Sequence, residues 1–206
     1  MNDTRRLILA SASPRRRQIL SEMGFAFDVE PCDLPEPAAK PAALAPAAWA
    51  EALAFFKARA VAETHSDCAV LGADTIVVCS EHLLGKPRDL EDARRMLEMQ
   101  AGRETDVITG VALIFPGSLA PASDGPLFRH RILGHATTRV WMRDDQEERE
   151  AYLRSGDWQG KAGAYGIQDV GDRLIERIAG GFANVVGLPD ALVRRMLAAL
   201  SLSENI

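Results

Sequence analysis

The sequence predicts an α/β fold in a single domain spanning residues 1–206, a mixed sheet flanked by helices, and three observations predict it. Residues 68 to 79, "CAVLGADTIVVC", are an unbroken apolar run rich in β-branched residues, the pattern of a strand covered on both faces. Helical patterns, with apolar residues three and four apart, stand between such runs, as α/β architectures require. Two strand-like runs, residues 107 to 115 and 135 to 142, flank turn chemistry at residues 116 to 126, "PGSLAPASDGP", and read as a long antiparallel hairpin. No internal repeat interrupts this order.

The elements follow in turn. Leu7, Ile8 and Leu9 read as a short buried strand. Ser13 is a good N-cap and Pro14 suits a first helical position, so a strand-to-helix turn falls at residues 10 to 14, and the helix ends near Met23 with Gly24 as its left-handed cap. After an extended segment, residues 31 to 46 carry five prolines, which preclude regular pairing and make a long loop. Residues 47 to 62 are a helix with apolar positions Trp49, Leu53, Phe56, Ala60 and Val61. The strand at 68 to 79 gives way to a turn at 80 to 87. Asp89 caps a helix over 90 to 101, with apolar positions Leu90, Ala93, Met96 and Leu97 and Gly102 past its end. Beyond the hairpin, Asp144 or Asp145 starts an acidic helix that reaches Leu153 and stops at Gly156. The glycine-rich "GKAGAYGIQ", residues 160 to 168, leads into strands near 173 to 178 and 183 to 186, and Pro189 opens a closing helix through Leu200.

With 206 residues, 47% of them hydrophobic, the chain can bury a core as one large domain or two tightly joined lobes, and a single compact unit is the first expectation. A net charge of -5 and a pI of about 5.4 exclude the bulk basic field of a nucleic-acid binder, so clustered arginines must act locally, on a small phosphorylated ligand. Three scattered cysteines, Cys32, Cys68 and Cys79, indicate neither a disulfide framework nor a zinc site, and suggest a reducing cytosol. No run of 18 apolar residues occurs, so neither a signal peptide nor a membrane span is expected.

Arg15, Arg16 and Arg17 sit in the first turn of a helix, beside unsatisfied N–H groups, where each cation is unfavourable by roughly 0.3–1 kcal/mol. Something anionic should compensate. Asp74, inside a doubly buried strand, needs a cation, hydrogen-bond donors or the open end of the sheet; it reads as a structural carboxylate paired with an arginine, or as a site residue that Gly72 lets another group approach, with Thr75 adding a second polar side chain there. Lys57 interrupts the apolar row Trp49, Leu53, Val61, and either points inward or snorkels from the stripe's edge. Lys86 in "GKPRD" follows soon after; Ser80 and Pro87 break the P-loop pattern, and an ordinary turn explains it equally. In "GKAGAYGIQ", Lys161 and Gln168 offer a cation and an amide where glycines admit a ligand, or the segment is a tight turn before a strand. Histidines 65, 82, 130 and 135 lack metal-ligand spacing, and the tryptophans read as packing residues. A helix start loaded with arginine, a buried carboxylate and lysines from three segments together suggest metal-assisted attack on phosphorus.

"LILASASPRR", "GADTIVV", "GKPRD", "TGVAL", "GKAGAYGIQ" and "NVVGLP" resemble, in order and spacing, the motifs of the Maf family of nucleoside triphosphate pyrophosphatases across nearly the whole chain. The resemblance implies a fold like that of the inosine-triphosphate pyrophosphatases (Maf/Ham1), two lobes around one active-site cleft, and hydrolysis of a nucleoside triphosphate to monophosphate and pyrophosphate with Mg²⁺ or Mn²⁺. Carried over by position, Ser13, Arg15 and Arg16 look like the triphosphate-binding turn, Asp74 like the catalytic carboxylate as metal ligand or general base, and Glu36 like a second acid at the metal. Lys57 and Lys86 look like phosphate or transition-state contacts, with Lys161 in the substrate-binding set, and Arg15, Thr75 and Gln168 match positions tied to base preference. The form "KAGAYGIQ" resembles the dTTP and UTP branch rather than the 7-methyl-GTP branch. Gly160 and Thr105 depart from the family, which often has an acid and a histidine there. The family also implies a homodimer and a competing reading, a nucleotide-binding regulator of septum formation; a nucleotidyl or sugar-phosphate transferase shares the same phosphate chemistry, and the cysteine usage above makes the expected location cytoplasmic.

Overall fold

Strand alternation organises this computed structural model, which describes residues 6–35, 37, 40–116, 130–167 and 172–200. Seven strands, β1 (Leu7–Leu9), β2 (Asp28–Val29), β3 (Ala69–Cys79), β4 (His82–Leu84), β5 (Glu104–Phe115), β6 (His130–Met142) and β7 (Ile175–Ala179), form one sheet of order β2-β1-β3-β5-β6-β7, with β4 paired to β3. β1 runs parallel to β2 and β3, with Leu7 opposite Ala69; β3 with β4 and β6 with β7 are antiparallel. The sheet is therefore mixed, as the sequence predicts. Among the described residues six α-helices accompany them: α1 (Pro14–Glu22), α2 (Pro46–Ala62), α3 (Leu90–Gln100), α4 (Gln146–Ser155), α5 (Phe182–Val186) and α6 (Asp190–Ala198). None of the described helices is long and apolar enough to cross a membrane.

The chain divides into two compact units. Described residues up to Asp74, those of Thr109–Ala136 and those from Gly187 onward make the first; Thr75–Ile108 and Thr137–Val186 make the second. In the first unit, alternate residues go to opposite faces of the strands. Leu9, Leu71 and Leu113 cluster with Leu20 of α1 and Val193 and Leu197 of α6, while Ile8, Val70 and Ala112 cluster with Ala54, Ala58 and Val61 of α2. Fully burying a leucine contributes about 1.5–3 kcal/mol, so these two layers dominate the unit's stability.

Helix α2 lies unusually close to its strands because they carry glycine beneath it. A Cβ on Gly72 would stand 2.4 Å from Ala54 O and 2.8 Å from Ala58 N, and one on Gly110 would stand 2.2 Å from Ala50 O. Ala50, Ala54 and Ala58, four residues apart along one helix row, complete this small-residue contact at 0% exposure. In the second unit Val77, Val107 and Val140 pack with Met96 and Leu97 of α3 and Leu153 of α4.

Most boundaries agree with the sequence. Ser13, Asp89 and Asp145 accept from backbone N–H groups as N-caps, and Gly24, at φ 84°, closes α1. The differences have physical reasons. β4 lies inside the expected turn at 80 to 87, reached through Ser80 and Glu81 at φ 47° and 68°, a positive-φ hairpin connection without the usual glycine or asparagine signal. β5 and β6 begin earlier than expected, because ladder pairing carries the polar Glu104 and Thr105 and the half-buried alternation from His130. Leu90 is 48% exposed, since the first helical position faces outward here. Residues 183 to 186 are not a strand but fall in α5: the buried Asn184 amide donates to Val107 O and Thr138 Oγ1, both at 3.0 Å, which holds the segment as a helical turn despite Val185 and Val186. The turn expected at 116 to 126 lies, beyond Pro116, outside the described residues.

Candidate functional site

At the β1 to α1 turn, the Ser13 Oγ accepts the Arg16 N–H at 3.4 Å, and Pro14 has no N–H to satisfy. No acid stands in the first turn of α1. Arg16 is held instead by protein oxygens: its Nε donates to Gly187 O at 2.8 Å and its Nη1 to Ser11 Oγ at 3.2 Å. Two directions of its five-donor fork are thereby fixed in place. Ser11, 7% exposed, also accepts the Ser13 N–H at 3.3 Å. Ser11 is a site residue that the sequence does not single out; its signal is a polar side chain two residues past a fully apolar strand. Arg15 is half-buried and Arg17 exposed, so of the three arginines only Arg17 stands well in solvent.

Asp74 and Lys57 meet in the first unit. Strand alternation places Asp74 in the same row as Val70 and Gly72, facing α2, and Lys57 precedes the Ala58 that rests on Gly72. The Lys57 Nζ donates to Asp74 Oδ1, with the two side chains 13% and 11% exposed. The glycine beside Asp74 thus admits the backbone of α2, and the lysine in the apolar row turns inward rather than snorkelling. The partner of the buried carboxylate is a lysine, not an arginine. Thr75 follows Ala73 and precedes Val77 on the opposite side of the strand, because neighbouring residues alternate.

Lys86 and Lys161 belong to the second unit. Their segments are joined by the Gly163 N–H, which donates to Gly85 O at 2.9 Å. Gly163 adopts φ 69°, and a Cβ there would press within 3.1 Å of Val77, so both its conformation and its contact require glycine. The buried Gln100 amide of α3 donates to Gly163 O at 2.7 Å. The stretch after Lys86 is braced by Asp92, whose Oδ2 accepts the Arg88 N–H at 3.2 Å and whose Oδ1 accepts Arg95 Nη2 at 2.8 Å. Those bonds, Arg95 first, hold the Asp92 carboxyl down at about 2 from the usual 3.8.

Glu36 and Gln168 lie outside the described residues. Among the described residues no cluster of three His, Cys, Asp or Glu side chains forms a metal cage. His65 pairs with Glu30 and His135 with Glu51, each at 2.6 Å, while Trp49 and Trp158 are buried packing residues. Trp141 is half-buried, with the Arg177 guanidinium 3.6 Å above its ring.

The family described as "Maf-like protein" matches residues 6–200. A dTTP/UTP pyrophosphatase of Moorella thermoacetica is 45% identical over 194 residues, covering 94% of each chain. One of Vibrio cholerae is 41% identical over 186 residues, covering 89% of this chain and 92% of its own. Among solved structures, a nucleoside-triphosphatase (dITP/XTP pyrophosphatase) from Mycobacterium abscessus aligns with a TM-score of 0.44 at 16% identity, covering 95% of this chain and 98% of the other.

Proposed function

The chain belongs to the Maf-like protein family, and from that membership we propose that it hydrolyses nucleoside triphosphates, dTTP and UTP foremost, to the monophosphate and pyrophosphate. The observation that carries this reading is the 38–45% identity, over most of the chain, to relatives that are dTTP/UTP pyrophosphatases. In the reaction a water oxygen bonds to the α-phosphorus, the bond from that phosphorus to the bridging oxygen breaks, and pyrophosphate departs with the electron pair.

Asp74 is the group that orients this water and takes its proton, and Lys57 balances the carboxylate's charge in a setting with little water. Arg15, Arg16 and Ser13 bind the phosphates at the start of α1, with Lys86 and Lys161 adding charge to the departing pyrophosphate. Arg15, Thr75 and Gln168 set the base preference. The residues also suit a divalent cation: magnesium takes one or two carboxylates together with substrate oxygens and water, so the lack of a three-residue cluster among the described residues is no obstacle. Asp74, with Glu36, would hold Mg²⁺ or Mn²⁺, which when bound neutralises phosphate charge. Three free thiols, Cys32, Cys68 and Cys79, support a cytosolic setting, and a homodimer is the expected assembly.

The test is a product assay for pyrophosphate and monophosphate with Mg²⁺ or Mn²⁺ across dTTP, UTP, CTP, GTP, 7-methyl-GTP and ITP, with Asp74→Asn beside the wild type. Preferential turnover of dTTP and UTP, lost in the variant while its circular dichroism is unchanged, is the expected result. Preference for 7-methyl-GTP would reassign the branch, full activity of Asp74→Asn would remove the carboxylate's role, and binding without turnover would favour a regulator.

A further inference from the structure

The geometry points to Tyr152 as a positioning residue that fixes the 160–167 segment, and with it Lys161, for nucleotide binding; this rests on the pyrophosphatase reading above. Tyr152 sits on α4, outside every motif that the family resemblance uses, yet it touches that segment three times. Its hydroxyl accepts the Gly166 N–H at 3.1 Å, its ring lies 5.9 Å beneath the Lys161 ammonium, and it tilts against the Tyr165 ring at 4.9 Å between centroids.

Each contact has a distinct consequence. Gly166 is buried, and a buried N–H without an acceptor is costly, so the Tyr152 hydroxyl decides whether the chain keeps its path just before residue 168. A cation within about 6 Å of an aromatic face is attracted to it, so the ring restrains the lysine. The first half of the segment is held independently, at Gly163, by Gly85 O and the Gln100 amide. Its second half packs through Ala164 and Ile167 and is tied to α4 by the Tyr152 hydroxyl and ring. The backbone of the loop at Gly166 is therefore oriented by a helix residue that need not touch substrate.

The substitutions Tyr152→Phe, which keeps the ring, and Tyr152→Leu, which removes ring and hydroxyl together, separate these effects. In the intact protein, Tyr152→Phe, which keeps the ring over Lys161, should raise KM for dTTP roughly three- to tenfold with kcat nearly unchanged, and Tyr152→Leu, which removes that ring, should raise KM further and lower kcat as well. Amide hydrogen exchange should quicken within residues 160–167 in both variants and remain at wild-type rates in β3 and α3. An unchanged KM in both variants, whatever their melting temperatures, or exchange in 160–167 as slow as in the wild type, overturns the assignment. If the wild type hydrolyses neither dTTP nor UTP, the pyrophosphatase reading has failed, and the exchange experiment alone then decides whether Tyr152 positions the segment.

Discussion

Replacing Gly72 with alanine tests how the central carboxylate is positioned. The added Cβ would stand 2.4 Å from Ala54 O, 2.8 Å from Ala58 N and 2.9 Å from Ala58 Cβ, all parts of α2 that have no rotamer with which to yield. An ordinary contact needs about 3.4 Å, so α2 must retreat from β3 by roughly 1 Å. Overpacking of this kind costs about 1–3 kcal/mol, while the stiffer unfolded chain returns about 0.4–1 kcal/mol, leaving a net loss of about 1–2 kcal/mol. The functional loss should be larger than the stability loss implies. Lys57 rides on the displaced helix while Asp74 stays on the strand, and a shift of about 1 Å near a reacting centre can cost on the order of a hundredfold in rate. Urea unfolding gives the stability difference and the pyrophosphate assay gives kcat/KM for dTTP. Gly85→Ala is the control for stability, since its Cβ would meet nothing within 4 Å. Wild-type stability and wild-type kcat/KM in Gly72→Ala would refute the argument that this glycine sets the distance between helix and carboxylate.

Other substitutions probe the same framework. Lys57→Met leaves the Asp74 carboxylate uncompensated at 7% exposure and should destabilise the protein by about 3–5 kcal/mol at neutral pH, part of which returns in the Lys57→Met, Asp74→Asn double variant; urea midpoints measure both. Arg16→Lys cannot reproduce the fork onto Gly187 O and Ser11 Oγ, and should cost about 1–2 kcal/mol by the same measurement. Because the Asp92 carboxyl is lowered from 3.8 to about 2 in the folded state, its contribution is complete above 3.8 and disappears as pH falls toward 2. Wild type should therefore lose about 1–2 kcal/mol across that window that Asp92→Asn lacks throughout, and parallel stability curves from pH 6 to 2 would contradict it.

The elements whose chemistry is local were legible in the sequence. Ser13 with Pro14, Asp89, Asp145 and Gly156 announce helix ends because capping depends on one side chain and its neighbouring N–H groups, and all act as caps in the structure. What failed depends on partners distant in the chain. Val185 and Val186 look like a strand until Asn184 finds Val107 and Thr138, 77 and 46 residues away. Lys57 was ambiguous because a helical row cannot say what lies opposite it; the answer sits 17 residues later in the chain, on β3. Arg16 shows the same limit from the other side. An unfavourable cation at a helix start asks for an anion nearby, and the sequence says that much; it does not say that Arg16 is also braced by a hydroxyl and, 171 residues on, a backbone carbonyl.

Stability alone gives no reason for the Lys57–Asp74 pair to exist. A buried ion pair can usually be exchanged for apolar residues of similar volume without loss, and sometimes with a gain, because desolvating two charges offsets their attraction. The surroundings here are made for apolar contact: Ala50, Ala54 and Ala58 against Gly72 and Gly110 bring helix and sheet backbones together with the smallest side chains available. At the end of that row the packing rule is broken by a carboxylate and an ammonium, each keeping just over a tenth of its side chain exposed. A rigid contact of small residues fixes the position of a charged pair more sharply than long side chains would, since neither glycine nor alanine has rotamers to relax into. That combination, a charged pair on an unyielding support, is what chemistry on a phosphoanhydride asks of a carboxylate that must hold its place beside a polyanion, and it supports the proposal that Asp74 acts at the centre of the reaction.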